Sequence, residues 1–351
     1  MEVTTADAAD LSFVDLSRRG LEVFTGDGIH DRIANKAALK GLNISRNLLT
    51  TLPYNLVQFS GLVEIDISNN NVAIISEEIA QLRNLKTFTA KNNVIHQASL
   101  PKNFGECPAL EVLNLSGNSF VDFPLQVTEL TNLKALYIGS NFITEIPREI
   151  ELLRRLEILY LGGNRLHELP GEIGALKQLT TLALSDNKLE RLPSELTRLT
   201  NLQSLSLHNN QLTTLPTQII TLNNLCALSL RGNPLVVRFV RDFAWQPPTL
   251  LELAARSVKS QQLMYSYSDL PVNLCHYLNQ AKKCVNPACK GVYFNSKVEN
   301  IKFVDFCGKY RLPLMQYLCS PQCRTSSPSS SSSESESDDE DKNRIKKVLL
   351  G

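Results

Sequence analysis

The most regular feature of the chain is the spacing of its apolar residues. Aliphatic side chains recur in the order L-x-x-L-x-L-x-x-N, starting at Leu39, Leu42, Ile44 and Asn47 and seen again, for example, at Leu179, Leu182, Leu184 and Asn187. Nine segments fit when Ile, Phe or Ala is allowed at some apolar positions. Their asparagines are Asn47, Asn70, Asn93, Asn118, Asn141, Asn164, Asn187, Asn210 and Asn233, 23 residues apart except for a step of 25 from Asn93 to Asn118. Alternation in L-x-L predicts a short strand with its leucines on the buried side. The Asn stands where the chain leaves that strand, and its amide can satisfy turn backbone groups that stacking buries. Each unit buries its leucines only against its neighbours, so the pattern predicts a solenoid that needs closure at both ends. The two extra residues fall around positions 97–104, where a longer connection on the outer face is expected. A tenth, degenerate unit is expected at Val14, Asp15 and Leu16, with Arg19 in the place of Asn.

These segments resemble the leucine-rich repeat family in its 23-residue intracellular form, where L-P-x-x-I follows the Asn as Leu169, Pro170 and Ile173 do here. The resemblance implies an α/β leucine-rich repeat solenoid of nine to ten repeats, with a cap and degenerate first repeat over 1–38 and the repeats with their C-terminal cap over 39–244. Such an array exposes the x positions of its strands on a concave face, the usual binding surface. Tyr137, Tyr160, Asp186, His208 and Arg231 are the candidates there for contact with a protein substrate. The two tyrosines are one repeat apart, and aromatics of this kind serve as interface anchors. His208 has no Cys, Ser–Asp pair or second His in register, so it reads as a surface histidine.

The rhythm stops after Asn233, Pro234 and Leu235. Residues 236–243 are apolar and are expected to close the end of the core, before Pro247 and Pro248 break the chain. Thr249 and Glu252 then form an S/T-x-x-E capping box, which predicts a helix starting after Thr249. Leu250, Ala254 and Val258 share one face of it, flanked by Leu253. Thr249, Leu250, Ala254 and Val258 resemble a BC box, the helix by which cullin–RING substrate receptors hold elongin C, an apolar stripe laid into a groove. Further on, Leu270, Pro271, Leu274, Tyr277 and Leu278 resemble a cullin box in its cullin-2 form, the cullin-5 form preferring a second Pro where Asn273 stands. Residues 249–280 are thus expected to be a helical region. The bland alternative is a capping helix whose stripe faces the last repeat.

Of the eight cysteines, six crowd into the last quarter. Cys284-x4-Cys289 and Cys319-x3-Cys323 are close pairs that can close a tetrahedral structural zinc site, with Cys307 as the substitute ligand. Buried free cysteines are the alternative reading. Between the pairs, Val292 to Phe294 and Ile301 to Phe306 read as strands of a small element over 281–324, where a metal staple would compensate for a scant core.

Composition narrows the functions. With 36 basic and 35 acidic residues the chain lacks the surplus that phosphate neutralisation requires, which argues against a nucleic-acid partner. Leu at 57 and Asn at 29 belong to the repeats, while Gly at 16 is low for a Gly-rich nucleotide-binding enzyme. The acidic N-terminus lacks a signal-peptide pattern and no apolar run spans a bilayer, so cytoplasm or nucleus is expected, with no membrane partner. Residues 325–351 form a Ser-rich and acidic tail expected to be disordered, whose serines beside acids suit an acidophilic kinase. The six acids of 334–341 leave the rest of the chain at +7 against a total of +1.

The resemblances together imply a non-enzymatic substrate receptor of a ubiquitin ligase built from elongin B/C, cullin-2 or cullin-5 and a RING subunit. The alternative is a leucine-rich repeat scaffold without a ligase link.

Overall fold

The computed structural model describes residues 12–23, 36–52, 54–235, 247–286, 289, 291–306, 310–324 and 347–349. The residues expected to close the core (236–243), Cys307, and 325–346 and 350–351 of the tail lie outside the described residues, while 347–349 form a strand, which corrects the expectation of disorder there.

The chain divides into two compact units, the first being Met1–Leu212, Gln218–Pro234 and Asn343–Gly351, the second Thr213–Thr217 and Leu235–Lys342. The first holds an 11-stranded parallel sheet in the order β1 to β9, β11, β16. Its strands are three residues long and step through the repeats, from β1 (Phe13–Asp15) and β2 (Gly41–Asn43) through β3 (Glu64–Asp66), β4 (Thr87–Thr89), β5 (Val112–Asn114), β6 (Ala135–Tyr137), β7 (Ile158–Tyr160) and β8 (Thr181–Ala183) to β9 (Ser204–Ser206) and β11 (Ala227–Ser229). Register is strict: Leu113, Leu136, Leu159, Leu182, Leu205 and Leu228 stand opposite one another and are buried. The degenerate first unit is present, since β1 pairs with β2. Between strands the chain returns through short 3-10 turns such as Arg148–Leu152 and Gly171–Ala175, with one brief α-helix, α1 (Leu125–Thr128). The longer connection contains two turns, Gln97–Ser99 and Lys102–Glu106, the first capped by His96, whose Nδ1 accepts from the Ala98 amide.

The asparagines bind each repeat to the one before. Asn164 is typical: Nδ2 donates to Leu161 O at 2.9 Å in its own turn and to Ile138 O at 3.1 Å in the preceding repeat, while Oδ1 accepts from Ile143 N at 3.1 Å. All three backbone partners are buried where water cannot replace the side chain.

The described part of the C-terminal end contributes a strand, β16 (Lys347–Leu349), parallel to β11 with Val348 opposite Leu228. Residues 347–349 thus extend the repeat sheet beyond β11, a role the composition of this segment did not suggest.

The second unit contains two helices, α2 (Leu250–Ser260) and α3 (Val272–Asn279), a two-stranded ribbon of β12 (Lys282–Lys283) with β13 (Val292–Tyr293), and a three-stranded sheet in the order β10 (Leu215–Pro216), β15 (Tyr310–Leu318), β14 (Val298–Phe306). β14 and β15 form a nine-residue antiparallel hairpin. β13 and β14 overlap the two strands expected from the sequence, whereas β15, which contains Pro313, was not among them. On the β10 side pairing starts at Leu314, just past that proline. Among the described residues no helix is long and apolar enough to cross a membrane.

Candidate functional site

On the strand face of the repeats, Tyr137 and Tyr160 stand opposite each other in register with ring centroids 6.4 Å apart and planes tilted by 36°. Glycines make room for them. A Cβ on Gly139 would lie 2.5 Å from Tyr160 Cε1 and 2.6 Å from Gly162 O. Tyr160 therefore rests against bare backbone and still leaves 40% of its surface exposed. Further along the same sheet, His208 Nδ1 lies 2.9 Å from Ser206 Oγ and 3.3 Å from Ser229 Oγ, and its Nε2 is 3.7 Å from Asp186 Oδ2. Asp186 also accepts from Asn209 at 2.8 Å, and Arg231 is exposed. The five concave-face candidates thus fall into an aromatic pair and a polar cluster.

In the second unit, Thr249 caps α2 by accepting from the Glu252 amide at 3.2 Å. The expected capping box is only half formed, and this corrects the sequence reading. The Glu252 carboxylate turns into the protein and is only 2% exposed. It accepts from Phe294 N at 3.1 Å, from Ser296 N at 3.0 Å and from Arg256 at 2.6 Å. Interior backbone amides and a guanidinium offer a carboxylate more than the single solvent-exposed amide of the cap does. Arg256 in turn donates to Cys319 O at 2.7 Å and to Ser296 O. Burial opposes the charge on Glu252, but the amides of Ser296 and Phe294 and the Arg256 guanidinium outweigh it, holding its carboxyl below the usual value.

This tether decides which face of α2 is free. Ala255 is buried with Leu278, Val292 and Phe294, and Val258, Leu270 and Tyr277 pack against them. Tyr277 stacks on Phe294 with centroids 4.7 Å apart. Outward lie Leu250, 86% exposed, with Leu251, Leu253 and Ala254. The BC-box stripe is therefore split: Leu250, Leu253 and Ala254 face solvent, while Val258 helps hold the helix. The cullin-box residues divide likewise, with Pro271 exposed, Leu274 half-buried, and Leu270, Tyr277 and Leu278 packed inside the unit. A cleft of about 470 Å³ lies beside this packing, lined in part by Val258, Met264, Tyr265, Tyr267 and Cys275. The adjacent Cys275 and His276 make no catalytic pair: Cys275 is buried, its thiol against Ser266 O and Leu270 O, whereas His276 is exposed beside Tyr267.

The sulfurs of Cys284, Cys289, Cys319 and Cys323 all lie within 4.8 Å of one another. Closest are Cys319 to Cys323 at 3.4 Å and Cys289 to Cys319 at 3.5 Å. Tetrahedral thiolates around zinc, with Zn–S of about 2.3 Å, sit roughly 3.8 Å apart. Three local features fit a bound cation. Gly291 leaves open a place where a Cβ would lie 2.8 Å from Cys319 Sγ and 3.0 Å from Cys289 Sγ. The Gly291 amide donates to Cys289 Sγ at 3.3 Å, and the Cys319 amide to Cys284 Sγ at 3.4 Å, as suits metal-bound thiolates. The four residues alternate between buried and half-buried. Burial pushes the Cys319 and Cys289 thiols up, while hydrogen bonds from Ser320 and Cys319 pull Cys323 down despite its burial.

Sequence reasoning missed Glu252 and Arg256 as a tether, and Gly139, Gly162 and Gly291 as spacers. The i,i+4 Glu–Arg spacing on the face of α2 away from Leu250 was the available signal for the tether.

Comparison with known proteins agrees with this architecture. The family described as "Leucine rich repeat" matches residues 108–166 and 177–235. The chain is 60% identical over 353 aligned positions to leucine-rich repeat-containing protein 58 of Xenopus laevis, covering 100% of this chain and 99% of that protein. To the Homo sapiens protein of the same name it is 63% identical over 327 positions, covering 91% and 88% respectively. Among solved structures, the Arabidopsis receptor kinase HAESA, in complex with the peptide hormone IDA and the co-receptor SERK1, superposes with a TM-score of 0.55 at 27% identity, covering 65% of this chain and 39% of that one.

Proposed function

The chain belongs to the leucine-rich repeat-containing protein 58 family, and on that premise we propose that it is a non-catalytic substrate receptor of an elongin BC–cullin–RING ubiquitin ligase. The coarser part stands on the repeats themselves: this is a leucine-rich repeat protein-interaction module. The finer part rests mainly on the exposure of Leu250. An apolar side chain that is 86% exposed gains nothing from its own fold. It projects from a capped helix whose opposite face is anchored by Glu252 and Arg256, so it is presented on a rigid support. A helix laid into a groove of elongin C uses such an anchor, with Leu253 and Ala254 beside it.

In this reading the concave strand face, with Tyr137, Tyr160, Asp186, His208 and Arg231, holds a protein substrate. Pro271 and Leu274 at the start of α3 contact cullin-2. Leu270, Tyr277 and Leu278 support that surface from within. Ubiquitin transfer belongs to the partner subunits, and this chain supplies proximity. Cys284, Cys289, Cys319 and Cys323 hold one structural zinc ion. The compartment is cytoplasm or nucleus, where thiols stay reduced.

Co-purification of the full chain with elongin B/C tests the assignment. Wild type retains elongin B/C and Leu250→Asp loses it, with the fold intact because Leu250 packs on little. Wild type that fails to bind, or a Leu250→Asp chain that binds equally well, leaves the scaffold reading instead.

A further inference from the structure

Building on the reading of α2 as a docking helix, we propose that zinc bound by Cys284, Cys289, Cys319 and Cys323 sets α2 in its docking position, with Glu252 and Arg256 as the positioning residues that connect the two sites.

The connection is short. Arg256 donates to the carbonyl of Cys319, which is itself one of the four cluster residues. Glu252 and Arg256 also hold Phe294 and Ser296, in the segment that leaves the cluster at Gly291. The cluster end of that segment is fixed by Gly291 N to Cys289 Sγ and by Cys284 N to Gly291 O at 2.9 Å. Among the described residues, the ties that Glu252 and Arg256 make beyond their own helix thus reach either Cys319 or the 294–296 segment.

The energetics make this connection matter. Cys284 and Cys319 belong to the small core that also contains Tyr293, Val298 and Leu318, so removing the metal removes the centre of that core. Four thiols crowded within 4.8 Å have only weak contacts to hold them, whereas zinc–thiolate bonding closes the loops outright. Once the Cys319 carbonyl and the 294–296 segment are free to move, the Glu252 carboxylate is left buried without full compensation. An eleven-residue helix does not persist in water without tertiary support. Loss of metal therefore melts or displaces α2, although its exposed face, Leu250, Leu253 and Ala254, touches no cysteine.

Binding of zinc and binding of the α2 partner must then strengthen each other by the same factor. The device makes partner docking depend on metal loading.

Hydrogen exchange of the amides of residues 250–260 in the full chain tests this directly, comparing protein loaded with Zn²⁺, stripped with a chelator, and reloaded with Zn²⁺ alone. Stripping should speed exchange across α2 by about tenfold or more, within the ordinary range of coupling between sites, and reloading should restore it. Arg256→Ala should keep its zinc yet exchange like the stripped protein. Arg256→Lys should recover part of the protection, because one ammonium replaces some of the guanidinium donors. In the same preparations, stripping should weaken elongin B/C binding, and elongin B/C should tighten zinc binding by the matching factor. Unchanged α2 exchange after stripping, or a chain that takes up no zinc, overturns the proposal. Zinc-dependent exchange in a wild-type chain that does not bind elongin B/C upholds the coupling and removes only the partner assignment.

Discussion

Single side chains act here through what they satisfy or vacate. Asn164 fills three buried hydrogen-bonding positions at the junction of two repeats. Asn164→Ala leaves Ile143 N without its acceptor, while Leu161 O and Ile138 O keep the side-chain amides of Asn187 and Asn141, so at about 1–3 kcal/mol for a buried group left unpaired the array should lose roughly 1–3 kcal/mol, read as a fall in the urea midpoint. A loss below about 0.5 kcal/mol, the scale of an ordinary surface substitution, would show that water or backbone shifts replace the side chain. This role was legible in the sequence because spacing alone puts an amide at every strand exit. Gly139 was not legible: nothing in L-x-L periodicity says that the residue two after Tyr137 must lack a Cβ, because the reason is the ring of Tyr160 one repeat further on.

At the scale of elements, α2 shows how far local pattern reaches. Its start follows from Thr249, which caps it as the sequence suggests. The direction that Glu252 takes does not. A capping box is a local solution, and it loses here to two backbone amides distant in sequence and to the Arg256 guanidinium one turn along the helix. The tether carries a pH dependence. Glu252 is held below its ordinary value, so its stabilisation is fully present above the unfolded-state value of about 4.3 and is lost as pH falls through the lower folded value. Glu252→Gln should cost on the order of 3 kcal/mol at neutral pH, and the gap between wild type and variant should close in acid below about pH 4. Unfolding of the two chains followed across that range measures the gap, and comparing them cancels any common loss of metal. A gap that widens in acid would contradict the charge assigned to Glu252.

For the whole molecule, a long periodic unit and a short aperiodic one come from one chain. The repeats were legible nearly throughout, because each one restates the same solution and errors in one are corrected by its neighbours. The second unit was legible as parts: a helical region, four paired cysteines and two of its five described strands. Their assembly rests on contacts such as Tyr277 on Phe294 and Arg256 on Cys319, which have no sequence period. The split of both box motifs into exposed and buried halves is a consequence of that assembly. The measurement that bears most directly on the account is titration of the full zinc-loaded chain with purified elongin B/C, wild type against Leu250→Asp. The account predicts saturable one-to-one binding by wild type and at least a hundredfold weaker binding by the variant, about 2.7 kcal/mol at tenfold per 1.4 kcal/mol, with unfolding of the two chains unchanged. Absence of binding by wild type, or equal affinity in the two chains, would contradict it.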